Sequence, residues 1–146
     1  MNVQEATDKQ AIRDLQNHYS YSIDAGEYNN LDEVFAVDVI ADYGVAGYNK
    51  GVAAVKETCR KALQPLTSVQ HLNGNHVARI DGDNATASCY FRVHQHREGT
   101  SGGEHFEMGG RYDDQLERRE EGWRITRRTL TIIWSDGNPN VRWGDQ

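Results

Sequence analysis

The stretch Ala85-Thr86-Ala87-Ser88-Cys89-Tyr90-Phe91-Arg92-Val93 carries small or apolar side chains at every odd position and mostly polar ones at the even positions. Strict period-two alternation is the pattern of a strand with one face in a core and the other toward solvent. The pattern runs on to Arg97, and the chain on both sides repeats it. Upstream, Val69 to Ile80 reads as a partner strand, joined through the hairpin turn Asp81-Gly82-Asp83-Asn84. Downstream, a glycine-rich loop over 98–105 leads into Phe106 to Arg118. The turn Arg119-Glu120-Glu121-Gly122 then opens a last strand, Trp123 to Trp134. Four long strands in sequence with short links predict an antiparallel meander.

The first half of the chain has a different period. Residues 5–25 predict one long helix, because Ile12, Leu15, Tyr19 and Ile23 recur at three- and four-residue spacing. Ala25-Gly26 ends it. A short helix follows at about 30–36, with Asn30 as cap, Glu33 completing a capping box, and Leu31, Val34 and Phe35 turned inward. Val37 to Tyr43 reads as a strand and Gly44 to Gly51 as a turn region. Val52, Val55, Cys59 and Leu63 mark a third helix, closed by Pro65. Ser135 to Gln146 is a polar tail whose Trp143 is placed to cover a pocket or reach a neighbouring subunit. The whole, residues 1–146, predicts a single α+β domain. Its curved, cone-shaped antiparallel sheet carries the N-terminal helices on one face, around a deep pocket.

Composition narrows the function classes. The formal net charge is −6, from 16 basic and 22 acidic side chains, which disfavours a nucleic-acid backbone as partner. The one basic cluster, Arg124, Arg127 and Arg128, lies within a strand pattern. No apolar run is long enough to cross a bilayer, and the N-terminus has no basic-then-apolar leader. Two cysteines, Cys59 and Cys89, sit among apolar residues and read as buried free thiols. A cytoplasmic setting is the expectation.

Two residues stand out for chemistry. Asp24 closes the first helix, where a carboxylate opposes the helix dipole and so calls for a partner. His71 opens the meander. An imidazole held by a carboxylate through one ring nitrogen presents the other as a general base. Asp24 lies roughly 120° from the apolar stripe on a helical wheel, so the helix end is expected to bend toward the pocket. Without a partner, His71 is equally a core histidine on a backbone carbonyl. Tyr19 is either core packing or a hydroxyl in the pocket. Tyr43, Phe91 and Val93 read as pocket walls. Alternation puts Arg127 inward with Trp123 and Ile125, unless a bulge turns Arg128 in instead. His94 and His96 share a strand face, as two metal ligands would, yet that face also carries Ser88, Tyr90 and Arg92 and is therefore the outer one. No metal and no cofactor is expected.

Taken together, several motifs resemble the SnoaL-like branch of the nuclear-transport-factor-like superfamily. These are Tyr19-x4-Asp24, Leu31-x2-Val34-Phe35, His71-x2-Gly74-Asn75, and Glu117-Arg118-Arg119-x2-Gly122-Trp123-Arg124-Ile125. The flavour is that of its lyases: hexachlorocyclohexane dehydrochlorinase, scytalone dehydratase and bile-acid 7α-dehydratase. The resemblance implies a cone-shaped α+β barrel, a cofactor-free lyase, and a homo-oligomer, trimer or dimer. It also implies an acid–histidine dyad at Asp24 and His71, and a pocket arginine at Arg128 that stabilises charge on the leaving group. Tyr19 stands where the dehydrochlorinase has a basic residue, which favours loss of water over loss of halide. The implied substrate is a small or medium apolar ring compound. An isomerase or cyclase on the same scaffold, a silent ligand-binding domain, and a metal enzyme built on His94 and His96 stay open as alternatives.

Overall fold

The computed structural model describes residues 1–143, and of Trp143 the backbone only. Helix α1 spans Val3–Asp24, opened by Asn2, whose side chain accepts the Glu5 N–H at 2.8 Å. Such a cap satisfies one of the donors that every helix start leaves free. The stripe Ile12, Leu15, Tyr19 and Ile23 is buried, as its spacing predicts. Gly26 ends the helix at φ +73°, a left-handed conformation that glycine adopts without steric cost. Next comes a 3-10 turn, Tyr28–Glu33, in place of the expected α-helix at 30–36. Its cap position is Glu27, and Asn30 donates to Glu27 and to Ser22 Oγ, so the capping box does not form. Leu31, Val34 and Phe35 are nonetheless buried.

Strand β1 is Phe35–Asp42 and β2 is Tyr48–Lys50, the latter lying within the stretch expected to be turn alone. Helix α2, Val52–Leu63, buries Val52, Val55, Cys59 and Leu63. The meander follows as β3 (Ser68–Asp81), β4 (Asn84–His96), β5 (His105–Arg119) and β6 (Gly122–Gly137). The sheet order is β2-β1-β6-β5-β4-β3. Two points differ from expectation. The sheet is not wholly antiparallel, because β1 runs parallel to β6. It also ends in two open edges, β2 and β3, and does not close into a barrel.

Pairing register sorts the inner face into rows. One runs Val69–Gln95–Phe106, the next His71–Val93–Met108, and the next Asn73–Phe91–Gly110–Ile132. Helices α1 and α2 cover these rows. The end of the chain is not merely a polar tail. Strand β6 runs on to Gly137, and a short helix, α3 (Asn140–Trp143), buries Val141 completely. Burial of Val141 anchors the segment, whose Arg142 lines the pocket. The side chain of Trp143, and the tail beyond it, lie outside the described residues. Among the described residues, no helix is long and apolar enough to cross a membrane.

Candidate active site

Helix α1 lies along β3, the open edge of the sheet. The flank it turns to that edge is a second stripe, Gln16, Ser20 and Asp24, at four-residue spacing. Gln16 Oε1 lies 2.8 Å from His76 Nδ1, and Ser20 Oγ accepts from Asn73 Nδ2 at 2.9 Å. Asp24 takes His71. Its Oδ2 accepts the His71 backbone N–H at 2.7 Å, and its Oδ1 lies 2.6 Å from Nδ1 of the same residue. The helix runs without interruption to Asp24. Asp24 stands off the apolar stripe because its target is the edge strand, not the core. Neighbouring stripes one residue apart serve the two surfaces, since successive residues turn 100° about the helix axis.

An ionised carboxylate only accepts hydrogen bonds. Nδ1–H therefore donates a hydrogen bond to Asp24, and in the neutral imidazole the lone pair is then on Nε2. The His71 side chain is 7% exposed and that of Asp24 is 19%. His71 forms part of the wall of a cavity between the concave sheet face and the helices. Tyr19, Tyr43, Phe91 and Val93, all expected at the site, line the same cavity. Cys59, Leu63, Met108 and Tyr112 are also part of the wall. Phe91 stacks on Tyr112 with ring centroids 4.5 Å apart.

The hydroxyls form a short chain. Tyr43 donates to the Tyr19 oxygen at 2.8 Å, and that oxygen lies 3.7 Å from Cys59 Sγ. Burial pushes the Tyr19 phenol well above its ordinary pKa. Burial likewise raises Tyr43, and the nearby Arg128 charge opposes the rise. Both phenols are thus hydrogen-bond donors at neutral pH and poor proton donors. Burial also pushes the Cys59 thiol up to about 11, which makes it a wall and not a nucleophile.

Arg128, and not Arg127, faces inward: Arg128 is fully buried and Arg127 is exposed. The register shift between Ile125 and Arg127 opposite Gln115–Leu116 is the bulge that turns it in. Its location, however, corrects the expectation that it meets the leaving group. It is not part of the cavity wall among the described residues. Its guanidinium lies behind that wall, 4.5 Å from the Tyr19 ring centroid and 4.1 Å from that of Tyr112. Asp114 holds it bidentately at 2.7 and 2.9 Å, and Gln16 donates to Asp114 at 3.1 Å. Arg128 supports Tyr19 and Tyr112, which do line the cavity.

His94 and His96 lie on the outer face, as their alternation indicated. His94 bonds Glu107 and His105 at 3.0 and 2.7 Å, and His96 stacks on His105. Among the described residues no group of three or more His, Cys, Asp or Glu has the geometry of a metal centre. Among the cavity-lining residues that the sequence did not single out are Arg142 and Gln95. Arg142 comes from the supposed tail. Gln95 is the inward residue between the two histidines, and alternation with Phe91 and Val93 was the signal that could have found it.

A model of the SnoaL-like domain family matches residues 4–129. The protein Rv2910c of Mycobacterium tuberculosis (strain H37Rv) is 31% identical over 135 residues, covering 90% of this chain and 89% of the relative. Among solved structures, the Kfla4162 protein of Kribbella flavida superposes with a TM-score of 0.87 at 20% identity, over 96% of this chain and 99% of that one. A type 2 hexachlorocyclohexane dehydrochlorinase, LinA, superposes at 0.82 and 16% identity, over 93% and 92%. At such identities the structures speak for the fold alone.

Proposed function

The chain belongs to the SnoaL-like domain family, and from that premise we propose that it is a cofactor-independent lyase that eliminates water from a small apolar ring compound. The observation that carries this reading is the double grip of Asp24 on His71 at the wall of an apolar cavity. Fixing both the ring and the backbone of one residue orients the imidazole before substrate arrives.

In this reading His71 Nε2 takes a proton from a carbon next to an activating group. The C–H electrons become the new double bond, and the C–O bond breaks. Asp24 stabilises the imidazolium that forms. Tyr19, itself receiving the Tyr43 hydrogen bond, donates one to the departing oxygen. Because burial keeps the phenol protonated, the departing oxygen takes its proton from the imidazolium and leaves as water, which resets the base. Arg128 holds Tyr19 and Tyr112 in place from behind. An oriented base contributes about 10²–10⁴-fold. Asp24→Asn and His71→Ala should each lower turnover by about that factor, with circular dichroism and melting nearly unchanged. Near-normal turnover in either variant would remove the dyad from the mechanism.

The Tyr43–Tyr19 pair equally suits a carbonyl oxygen that gains charge in an enolate, so an isomerase on the same residues is the second reading. Product mass separates the two, since elimination lowers the mass by one water while isomerisation leaves it unchanged. We also propose a homo-oligomer, dimer or trimer, assembled through the outer sheet face that exposes Leu72, Tyr90 and Trp134. Sedimentation of the native protein against Tyr90→Glu tests it: a native monomer sinks the idea.

A further inference from the structure

Gln95 holds a position unlike any other polar group in the cavity. The residue is 4% exposed, and among the described residues its buried Oε1 has no hydrogen-bond partner. It also lines the cavity. A buried amide oxygen left unpaired costs free energy, and such groups in folded proteins are almost always satisfied. Arg142 lines the same cavity, but the residues packed beside Gln95 on the sheet are apolar. Its cross-strand partners are Val69 on β3 and Phe106 on β5, and the wall beside it includes Leu63, Val93 and Met108. Strand alternation forces the residue at 95 to face inward, between the outward His94 and His96. An aliphatic side chain there would cost nothing, yet an amide stands in its place.

The register also fixes its distance from the base. His71 pairs with Val93, and Gln95 is two residues further along the same strand on the same face. Diagonal neighbours of this kind lie about 7–8 Å apart. One ring compound can therefore touch both side chains.

We propose that Gln95 is a specificity residue: its Oε1 accepts a hydrogen bond from a hydroxyl carried by the ring substrate, on the side of the ring away from the carbon that faces His71. The substrate class is then a hydroxylated ring compound, not a bare hydrocarbon or halogenated ring. This rests on the proposed function only in taking the cavity as the substrate site, and its test reads binding and not turnover.

The probes are 2-naphthol, naphthalene and 2-methoxynaphthalene, titrated against the full chain by calorimetry or quenching of tryptophan fluorescence. Native protein should bind 2-naphthol roughly tenfold more tightly than either of the others, the net worth of one hydrogen bond. Gln95→Leu should erase that preference, binding naphthalene at least as well as native protein does. Gln95→Met, with an unbranched side chain of similar length, does the same if the leucine variant melts early. Equal binding of the three probes by native protein, binding of none of them, or a preference that survives both substitutions overturns the proposal. A methoxy probe as tight as the naphthol also overturns it, because an ether cannot donate. Loss of the dyad's role in turnover would leave these binding ratios untouched, so the two readings fail separately.

Discussion

Arg128 shows how much a single buried residue can be asked to do. Its charge lies entirely out of solvent, compensated by Asp114 and by the faces of Tyr19 and Tyr112. Desolvation disfavours the charged form, but the Asp114 carboxylate and the surrounding groups outweigh it and hold the guanidinium protonated. Removing one member of such a pair leaves the other as an uncompensated buried charge, which costs about 3–5 kcal/mol. Asp114→Ala should therefore destabilise by about that much in urea unfolding. The double replacement Asp114→Leu with Arg128→Met should recover most of the loss, because neither charge remains to be solvated. In the double variant turnover should still fall, since Tyr19 loses the support behind it. Full activity would assign Arg128 to stability alone. At Asp24 the residue-scale lesson is different: a carboxylate set against a helix dipole is explained by two hydrogen bonds to one histidine.

At the scale of the element, strand β5 is shaped by Gly109 and Gly110. A Cβ on Gly110 would overlap the Phe91 ring and the Thr131 carbonyl, and one on Gly109 would overlap the Trp134 indole. The pair lets an aromatic ring lie flat on each face of the sheet, Phe91 inside and Trp134 outside. Gly110→Ala should push Phe91 off Tyr112 and destabilise by about 1–3 kcal/mol, the usual range for overpacking. The near-ultraviolet circular dichroism of the aromatic cluster should change with it. An unchanged melting curve and spectrum would show that the ring is free to move. Helix α1 teaches a complementary point. Its apolar stripe meets the core, and its polar stripe Gln16, Ser20 and Asp24 meets the edge of β3. Asn73→Ala, which removes the donor to Ser20, should weaken that seam by about 1 kcal/mol, the net value of a typical hydrogen bond. Hydrogen exchange at β3 should quicken in that variant.

Over the whole molecule, the far end of α1 is tied to the meander by one charged cluster. Arg118 grips Asp8 with two bonds of 2.8 and 2.7 Å, reaches Asp83 at 3.0 Å, and lies over Trp123, whose indole N–H also bonds Asp8. The Arg118 bonds hold the Asp8 carboxyl down at about 2, below its ordinary value of 3.8. A carboxyl with a lowered folded pKa contributes stability above its unfolded pKa, and that contribution drains away as pH falls through the folded one. Stability should therefore be insensitive to this group above pH 4 and decline between about 4 and 2. Asp8→Asn should lower the melting temperature at neutral pH and flatten the acid limb. An acid limb identical in the variant would place the acid sensitivity elsewhere.

Composition and period alone determined the α+β class, the four-stranded meander, the buried stripes of α1 and α2, the buried thiols and the outer face of His94 and His96. These are local consequences of which side chains recur every two or every three to four residues, and local pattern survives without knowledge of partners. Only the tertiary structure decided that β1 joins β6 in parallel, that the sheet stays open, and that the tail buries Val141 and brings Arg142 to the cavity wall. It likewise placed Asp24 on an edge strand, Arg128 behind the tyrosines and Gln95 unpaired in the wall. Each depends on contacts between residues distant along the chain. Packing settles those, whereas the periodicity of any one segment says only which side faces inward and not what it will meet.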